Sequence, residues 1–390
     1  MTELCKVPVL SNGEKNDGLF GYTDRAVVTD PSITISGRGT IGFSCVRSKP
    51  YFPIVRLITV TPFIGVNLNF LQYTMSALLE QGVGTSIKQL TVPMLAPKLI
   101  PLPPLKEQER IVLRIQTLEP FIEDYDKAAT ELTKLNDSFP EQIKKSILQY
   151  AIQGKLVPQN PNDEPASVLL EKIKAEKQKL IKAGKIKKDK VESHIYKRDN
   201  RHYEKIGDKE VDITDEIPFE IPDSWRWMRL GNIGEWRAGA TPSRQNAKYY
   251  NGSISWLKTG DLNDGYITNV EETITELATE QTSAKVRPIG SVLMAMYGAT
   301  IGKLGILAIP CATNQACCAC MPFNGIFNKF LFFYLLAQRR NFIEQGAGGA
   351  QPNISREKII VNLFPLPPLE EQKCIVAKVE EILKLLPSNG

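Results

Sequence analysis

Pro101-Leu-Pro-Pro-Leu-Lys-Glu-Gln-Glu-Arg-Ile-Val112 occurs twice in this chain, the second time as Pro365-Leu-Pro-Pro-Leu-Glu-Glu-Gln-Lys-Cys-Ile-Val376. Nine of the twelve positions are identical, at an offset of 365 − 101 = 264 residues. A proline-rich run cannot continue a helix, because proline lacks an N–H and crowds the preceding turn. Each copy therefore reads as an extended exit from a globular domain. Leu-x-Glu-Gln then opens a helix, with an acid in the first turn where the helix dipole favours it.

The repeat extends upstream. Gln81-Gly82 and Gly84 match Gln345-Gly346 and Gly348 at the same offset. Further back the offset becomes 260: Phe70-Leu71 with Phe330-Leu331, Tyr73 with Phe333, Ala77 with Ala337, and Thr40-Ile41-Gly42 with Thr300-Ile301-Gly302. One domain of well over a hundred residues is duplicated; this is not a short solenoid period. The first copy covers residues 1–104 and the second 218–364. Thr300 stands 82 residues after Pro218 and Thr40 only 40 into the chain, so the first copy is expected to be N-terminally incomplete. Nothing in it corresponds to Asp223-Ser-Trp-Arg-Trp-Met-Arg-Leu-Gly231.

Residues 105–157 are expected to be mainly helical. Apolar residues at Ile111, Ile115, Leu118, Ile122, Tyr125, Ala129 and Leu132 follow the alternating 4-3 spacing of a coiled-coil seam. Pro120 should kink the helix, and Asp137-Ser-Phe-Pro140 should break it. The short distal helix in 365–390 repeats the seam at Ile375, Val379, Ile382 and Leu386. The two seams either pair with each other or pack each on its own domain. Residues 158–217 read as a charged connector with a helix reaching about Ala183. Its lysine-rich stretch, 171–190, is a solvated face or a strip lying along phosphates. The mixed aromatic and basic run His194–Tyr203 is a further possible nucleic-acid contact.

A net charge of +5 permits nucleic-acid binding without requiring it. The densest apolar run, Phe330–Ala337, is too short to span a bilayer, and no leader pattern opens the sequence, so a cytoplasmic location is expected. Cys317 and Cys320 form a C-x-x-C inside an apolar run without a second pair or a nearby histidine, which reads as buried strand rather than zinc site. Gly37-Arg-Gly-Thr-Ile-Gly42 fits G-x-G-x-x-G, but the positions of Gly37 and Gly39 hold Tyr297 and Ala299 in the second copy, so a tight turn is expected. There is no Walker A loop and no Asn-Pro-Pro-aromatic motif; His194 and His202, the only histidines, receive no catalytic role.

These features resemble the specificity subunit of type I restriction–modification systems, the HsdS family. The resemblance rests on the repeated Pro-Leu-Pro-Pro-Leu-x-Glu-Gln-x-x-Ile-Val, on Ser146-Ile-Leu-Gln-Tyr-Ala-Ile-Gln-Gly-Lys-Leu-Val157, on Asp163-Glu-Pro-Ala-Ser167 and on Ile221–Gly231. Gly239-Ala-Thr-Pro-Ser243, Tyr249-Tyr250 and Trp256 look like the opening of one of its recognition domains. The resemblance implies an α+β fold: two similar mixed α/β target-recognition domains separated by long antiparallel coiled-coil helices. Each domain reads half of a split site on double-stranded DNA, and the helices dock two modification subunits. Those subunits carry S-adenosylmethionine and methylate adenine, so this chain needs no cofactor and is no enzyme itself. A motor–nuclease restriction subunit can join. The rival reading is a decayed helical scaffold that binds protein partners without reading DNA.

Phosphates call for Lys, Arg, hydroxyls and backbone N–H groups, and base edges for Arg, Asn, Gln, Ser or Thr. The candidates in domain one are Ser36, Arg38, Arg47, Lys49, Tyr51 and Lys88. In domain two they are Thr241, Ser243, Arg244, Tyr249, Lys258, Tyr297, Lys303, Asn314, Gln315, Gln351 and Asn353. The candidate partner-binding residues are Ile111, Ile115, Leu118, Ile122, Tyr125, Leu132, Ile375, Val379, Ile382 and Leu386.

Overall fold

The structure, a computed structural model, describes residues 5–54, 56–79, 89–187, 193–346 and 352–386. The chain divides into two compact units at Lys134/Leu135. The first contains β1 (Val7–Leu10), β2 (Leu19–Thr23), β3 (Ser32–Ser36), β4 (Ser44–Arg47), β5 (Phe52–Pro53), β6 (Leu57–Val60), α1 (Leu68–Leu78), α2 (Val92–Leu95) and the first part of α3 (Leu105–Ile152). Strands β4-β3-β6 form an antiparallel sheet, and β2-β1-β5 a second sheet. Ile33 and Ile35 of the central strand, both fully buried, share a core with Leu71, Met75 and Leu79 from α1 and its C-terminal end. Asn67 caps α1 by accepting from the N–H groups of Asn69 and Phe70.

The second unit continues with α4 (Ala166–Lys182), β7 (Ser193–Arg198), β8 (Arg201–Ile206), β9 (Lys209–Asp212), β10 (Arg226–Arg229), β11 (Gly234–Ala238), β12 (Tyr250–Leu257), β13 (Gly265–Ile267) and β14 (Thr273–Ile274). Then come α5 (Glu276–Gln281), β15 (Val292–Ala295), β16 (Leu304–Leu307), β17 (Ala312–Thr313), β18 (Cys317–Pro322), α6 (Asn328–Ala337), α7 (Arg339–Gly346), α8 (Arg356–Ile360), β19 (Leu363–Leu366) and α9 (Leu369–Leu385). A five-stranded sheet of order β11-β18-β15-β16-β13 is its centre. In β15 and β18 alternate side chains serve two cores: Val292, Met294, Cys318 and Cys320 on one face, Leu293, Ala295, Cys317 and Ala319 on the other. A strand covered on both faces reads as an unbroken apolar run, which is why the C-x-x-C is strand. Burial pushes the Cys318 thiol up to about 12. Helix α6 is buried from Phe330 to Leu335, a core helix of three turns. No helix among the described residues is long and apolar enough to cross a membrane.

The twelve-residue repeat has a structural job in both units. Gln108, fully buried, donates through Nε2 to the carbonyls of Gly65 (3.0 Å) and Pro103 (2.8 Å), and its Oε1 accepts from the Asn67 N–H (2.7 Å). Gln372, also fully buried, donates to Gly325 (3.0 Å) and Pro367 (3.0 Å) and accepts from the Phe327 N–H (2.8 Å). All the partners correspond at offsets of 260 or 264. The glutamine thus ties the extended exit to the loop before the domain's main helix, using every direction in which a buried amide must be satisfied.

Three expectations are corrected. First, α3 runs unbroken for 48 residues through Pro120 and Pro140. A proline deletes one intrahelical bond, and here Gln116 and Asn136, whose carbonyls are freed, are exposed to water. Second, the connector contains an antiparallel sheet, β7-β8-β9. Its signal was present: Asp199-Asn200, both at positive φ (51° and 60°), is a two-residue hairpin turn between alternating strands. Third, the proline-rich run begins as strand β19, paired antiparallel with β10, so the strand crosses the expected 364/365 boundary.

Helix α9 packs on its own domain. Ile375 and Val379 are fully buried in the core of the second unit, and Ile382 packs against that core. A partner-binding role for Ile375 and Val379 is thereby replaced by a packing one. On α3, Ile111 and Ile115 are half-buried, whereas Leu118, Ile122, Tyr125 and Leu132 are exposed.

Candidate nucleic-acid interface

In the second unit the loop after β11 is drawn onto the loop after β17. A Cβ on Gly239 would stand 2.2 Å from the Thr313 carbonyl oxygen, so only glycine allows the approach. The Ala240 N–H donates to the Thr313 carbonyl (2.9 Å), the Asn314 N–H to the Leu257 carbonyl (2.9 Å), and the buried Trp256 indole to the Ala240 carbonyl (3.1 Å). These contacts bring together the segments that carry Thr241, Ser243 and Arg244, Lys258, and Asn314 and Gln315. Tyr249 joins the same small core and donates its hydroxyl to Gln281 (3.2 Å).

The Arg244 guanidinium lies over the rings of Tyr250 (4.5 Å) and Trp256 (5.2 Å) and pairs with Glu272. Lys258 Nζ reaches the other Glu272 oxygen at 3.0 Å. The hydrogen bond from Arg244, with help from Lys258, holds the Glu272 carboxyl below its ordinary range. Arg244 and Lys258 share the Glu272 carboxylate, and the Asp261 carboxylate also stands beside Lys258, on a surface that offers hydroxyls and an amide. Asn314 Oδ1, Thr313 Oγ1 and Arg287 Nε are buried without a hydrogen-bond partner among the described residues. Thr313 and Arg287 were not candidates from the sequence, and nothing in their local pattern marks them.

Tyr297, Lys303 and Asn353 come together elsewhere in the unit. Tyr297 bridges to Asn353, the Gly298 N–H donates to the Pro352 carbonyl (2.8 Å), and Lys303 follows the Thr300-Ile301-Gly302 turn, its own N–H bonded to Thr300 (2.9 Å). All three side chains are exposed. The same turn occurs in the first unit, where the Phe43 N–H donates to Thr40 (3.1 Å). Gly37–Gly42 is thus a hairpin turn between β3 and β4, with no helix behind it to hold a cofactor phosphate.

Among the first unit's candidates, Arg38 and Lys49 are exposed. Arg38 lies on this turn, its N–H and that of Gly37 bonded to the Asn12 side chain, and its guanidinium reaches Gln89 at 3.4 Å. Arg47 is half-buried, donating to Thr34 Oγ1 (3.0 Å) and to the Asp17 carbonyl. Ser36 is buried and accepts from the Gly13 N–H (3.0 Å). Tyr51 is a core residue, its hydroxyl bonded to Ser32 (2.8 Å) and Thr59 (3.2 Å), which removes both Ser36 and Tyr51 as surface contacts. Lys88 and Gln351 lie outside the described residues, as do Gln81, Gly82, Gly84 and Gly348.

The His194–Tyr203 run is the β7–β8 hairpin. Arg198 sits over Tyr203 (4.4 Å) and pairs with Glu210 (2.7 Å), and Arg201 pairs with Asp212 (2.9 Å), so its cations are already matched by acids. Among the described residues no group of His, Cys, Asp or Glu is placed to hold a metal.

A family model described as the type I restriction modification DNA specificity domain matches residues 3–134 and 222–386. The type I restriction enzyme EcoAI specificity subunit of Escherichia coli is 29% identical over 335 residues, covering 73% of this chain and 53% of that protein. The EcoEI specificity subunit of Escherichia coli is 29% identical over 269 residues, covering 63% of this chain and 40% of that protein. This chain thus spans about half or less of the length of these relatives. The HsdS subunit from Thermoanaerobacter tengcongensis aligns with a TM-score of 0.48 at 16% identity, over 93% of this chain and 75% of that one.

Proposed function

Because the chain belongs to the family of type I restriction modification DNA specificity domains, we propose that it is the sequence-reading, non-catalytic subunit of a cytoplasmic DNA methyltransferase complex. Each copy of the duplicated domain reads one half of a split site on duplex DNA. Two modification subunits, which bring S-adenosylmethionine, dock on the helical regions, and a restriction subunit can join. The observation that carries this reading is the duplication itself: one domain built twice, down to the three bonds of Gln108 and Gln372, joined in sequence by a single 48-residue helix. Two reading heads on a fixed helix measure both sequence and distance, and neither needs a reactive group.

The test uses α3 as a ruler. Lys127 and its neighbours are exposed, so four residues inserted after it disturb no core. The insert lengthens the helix by about 6 Å and turns its distal part by about 400°, only about 40° from the original face. B-DNA rises about 3.4 Å per base pair along each strand. The expected result is two unchanged half-sites with the gap between them longer by one or two base pairs, read by sequencing methylated DNA from cells that carry the variant and its modification subunit. An active variant with an unchanged gap would favour a scaffold that does not set the distance.

A further inference from the structure

A cavity of about 430 Å³ lies in the second unit, between α4, the β7–β8 hairpin and β10. It falls within the range of about 300–1,000 Å³ that small-molecule sites occupy. None of the candidate DNA contacts lines it. Its apolar lining is Leu170 and Ile173 from α4 with Trp227 and Met228 from β10, all four buried. Against this lining stand four cations: Lys174 and Lys177 from α4, Lys205 from β8 and Arg229 from β10. No Asp or Glu among the described residues lines it.

The carboxylates that answer these cations stand outside the lining. Lys174 reaches Glu171 at 2.7 Å, and Arg229 is held by Glu204 (2.5 Å) and Glu216 (2.8 Å). Lys177 Nζ donates to Asn232 Oδ1 at 2.9 Å. Glu210, opposite Lys205 in the β8–β9 register, is taken up by Arg198, and Lys205 makes no ion pair among the described residues. His194 lines the same wall, its Nδ1 3.5 Å from Lys174 Nζ. Burial, with help from Lys174, holds the His194 ring below its ordinary range, so it is uncharged at neutral pH. Trp227 is only 4% exposed, and its indole Nε1 has no hydrogen-bond partner among the described residues. A buried donor without an acceptor is costly, and this one belongs to a residue that lines the cavity and the one adjoining it.

Donors therefore predominate around an apolar surface: ammonium groups, a guanidinium and an indole N–H. We propose that this cavity binds a small organic anion, an aromatic body carrying one phosphate or carboxylate group. The body packs on Leu170, Ile173, Met228 and the Trp227 ring, and the acid group turns to Lys174 and Lys205. Hydrogen bonds from a cation to an anionic oxygen are about twice as strong as neutral ones, so the acid group sets the affinity and the apolar lining selects the body. The site stands or falls independently of DNA reading.

The probes are 2-naphthyl phosphate and 2-naphthoate, titrated calorimetrically into the full chain, with 2-naphthol and inorganic phosphate as the two halves of the ligand. The expected result is saturable binding of at least one of the two anions at one per chain, and the stronger of them identifies the head group. Neither half alone should bind comparably. Lys174→Gln and Lys205→Gln should each weaken binding by roughly tenfold or more, whereas Lys182→Gln, exposed at the end of α4 and outside the cavity, should not. The chain has four tryptophans, and in a ¹⁵N spectrum the indole resonance that Trp227→Phe removes should be the one that moves on binding. Absence of saturation by either anion, indifference to Lys174→Gln and Lys205→Gln, or a Trp227 resonance that stays in place would overturn the proposal. So would inorganic phosphate binding as tightly as the aromatic anions.

Discussion

Exchanging residues 218–364 for the matching segment of another family member is expected to change one half of the methylated DNA motif completely and leave the other half as it was. The segment carries the five-stranded sheet, one of its two cores whole and both clusters of candidate contacts, and it shares the other core with α3, α4 and α9. The group around Trp256 and the Tyr297–Asn353 group travel together, so whatever this domain reads is replaced in one step. A mismatched base pair typically costs about 1–3 kcal/mol, so several altered contacts abolish methylation at the old half-site. Methylated-motif sequencing of cells carrying the hybrid checks this. If both halves changed, or neither did, the one-domain, one-half-site division would fail.

The second large effect concerns folding. Gln372→Met keeps the length of the side chain and removes all three of its bonds, stranding the Phe327 N–H and the carbonyls of Gly325 and Pro367. Leaving buried polar groups unpaired costs about 1–3 kcal/mol each, less where a carbonyl keeps another partner, so a loss of about 3–5 kcal/mol is expected. All four tryptophans belong to domain two, so fluorescence-detected urea unfolding reports on that unit alone. Gln372→Met should move that transition strongly. Gln108→Met should leave it in place and destabilise the first unit, seen by circular dichroism. A shift of under about 0.5 kcal/mol for Gln372→Met would show that the tie is dispensable.

The duplication was legible because identical residues at a constant offset need no knowledge of structure. Its reason was not: Glu-Gln reads as the first turn of a helix, whereas in the fold Gln108 and Gln372 face back into the domain. The β7–β9 sheet was missed because charged residues of both signs make up half of 193–212 and mask the alternation of His194–Ile206. The break expected at Pro140 weighed a lost hydrogen bond without the water that replaces it on an exposed helix. Among the candidate contacts, Tyr51 failed for a local reason. Its hydroxyl finds Ser32 and Thr59 inside the domain, and a sequence cannot show which hydroxyls are satisfied internally. Arg244 and Lys258 share a carboxylate, Glu272, that lies 28 and 14 residues away and carries no local signal.

The central claim is that one chain reads two separated half-sites, and a random duplex library tests it most directly. The purified chain, assembled with its modification subunits and S-adenosylmethionine, methylates the library, and the methylated fragments are sequenced. Two short determined blocks separated by a gap of fixed length and free composition are the predicted result. Methylation with no shared motif, or within one continuous motif, would contradict it.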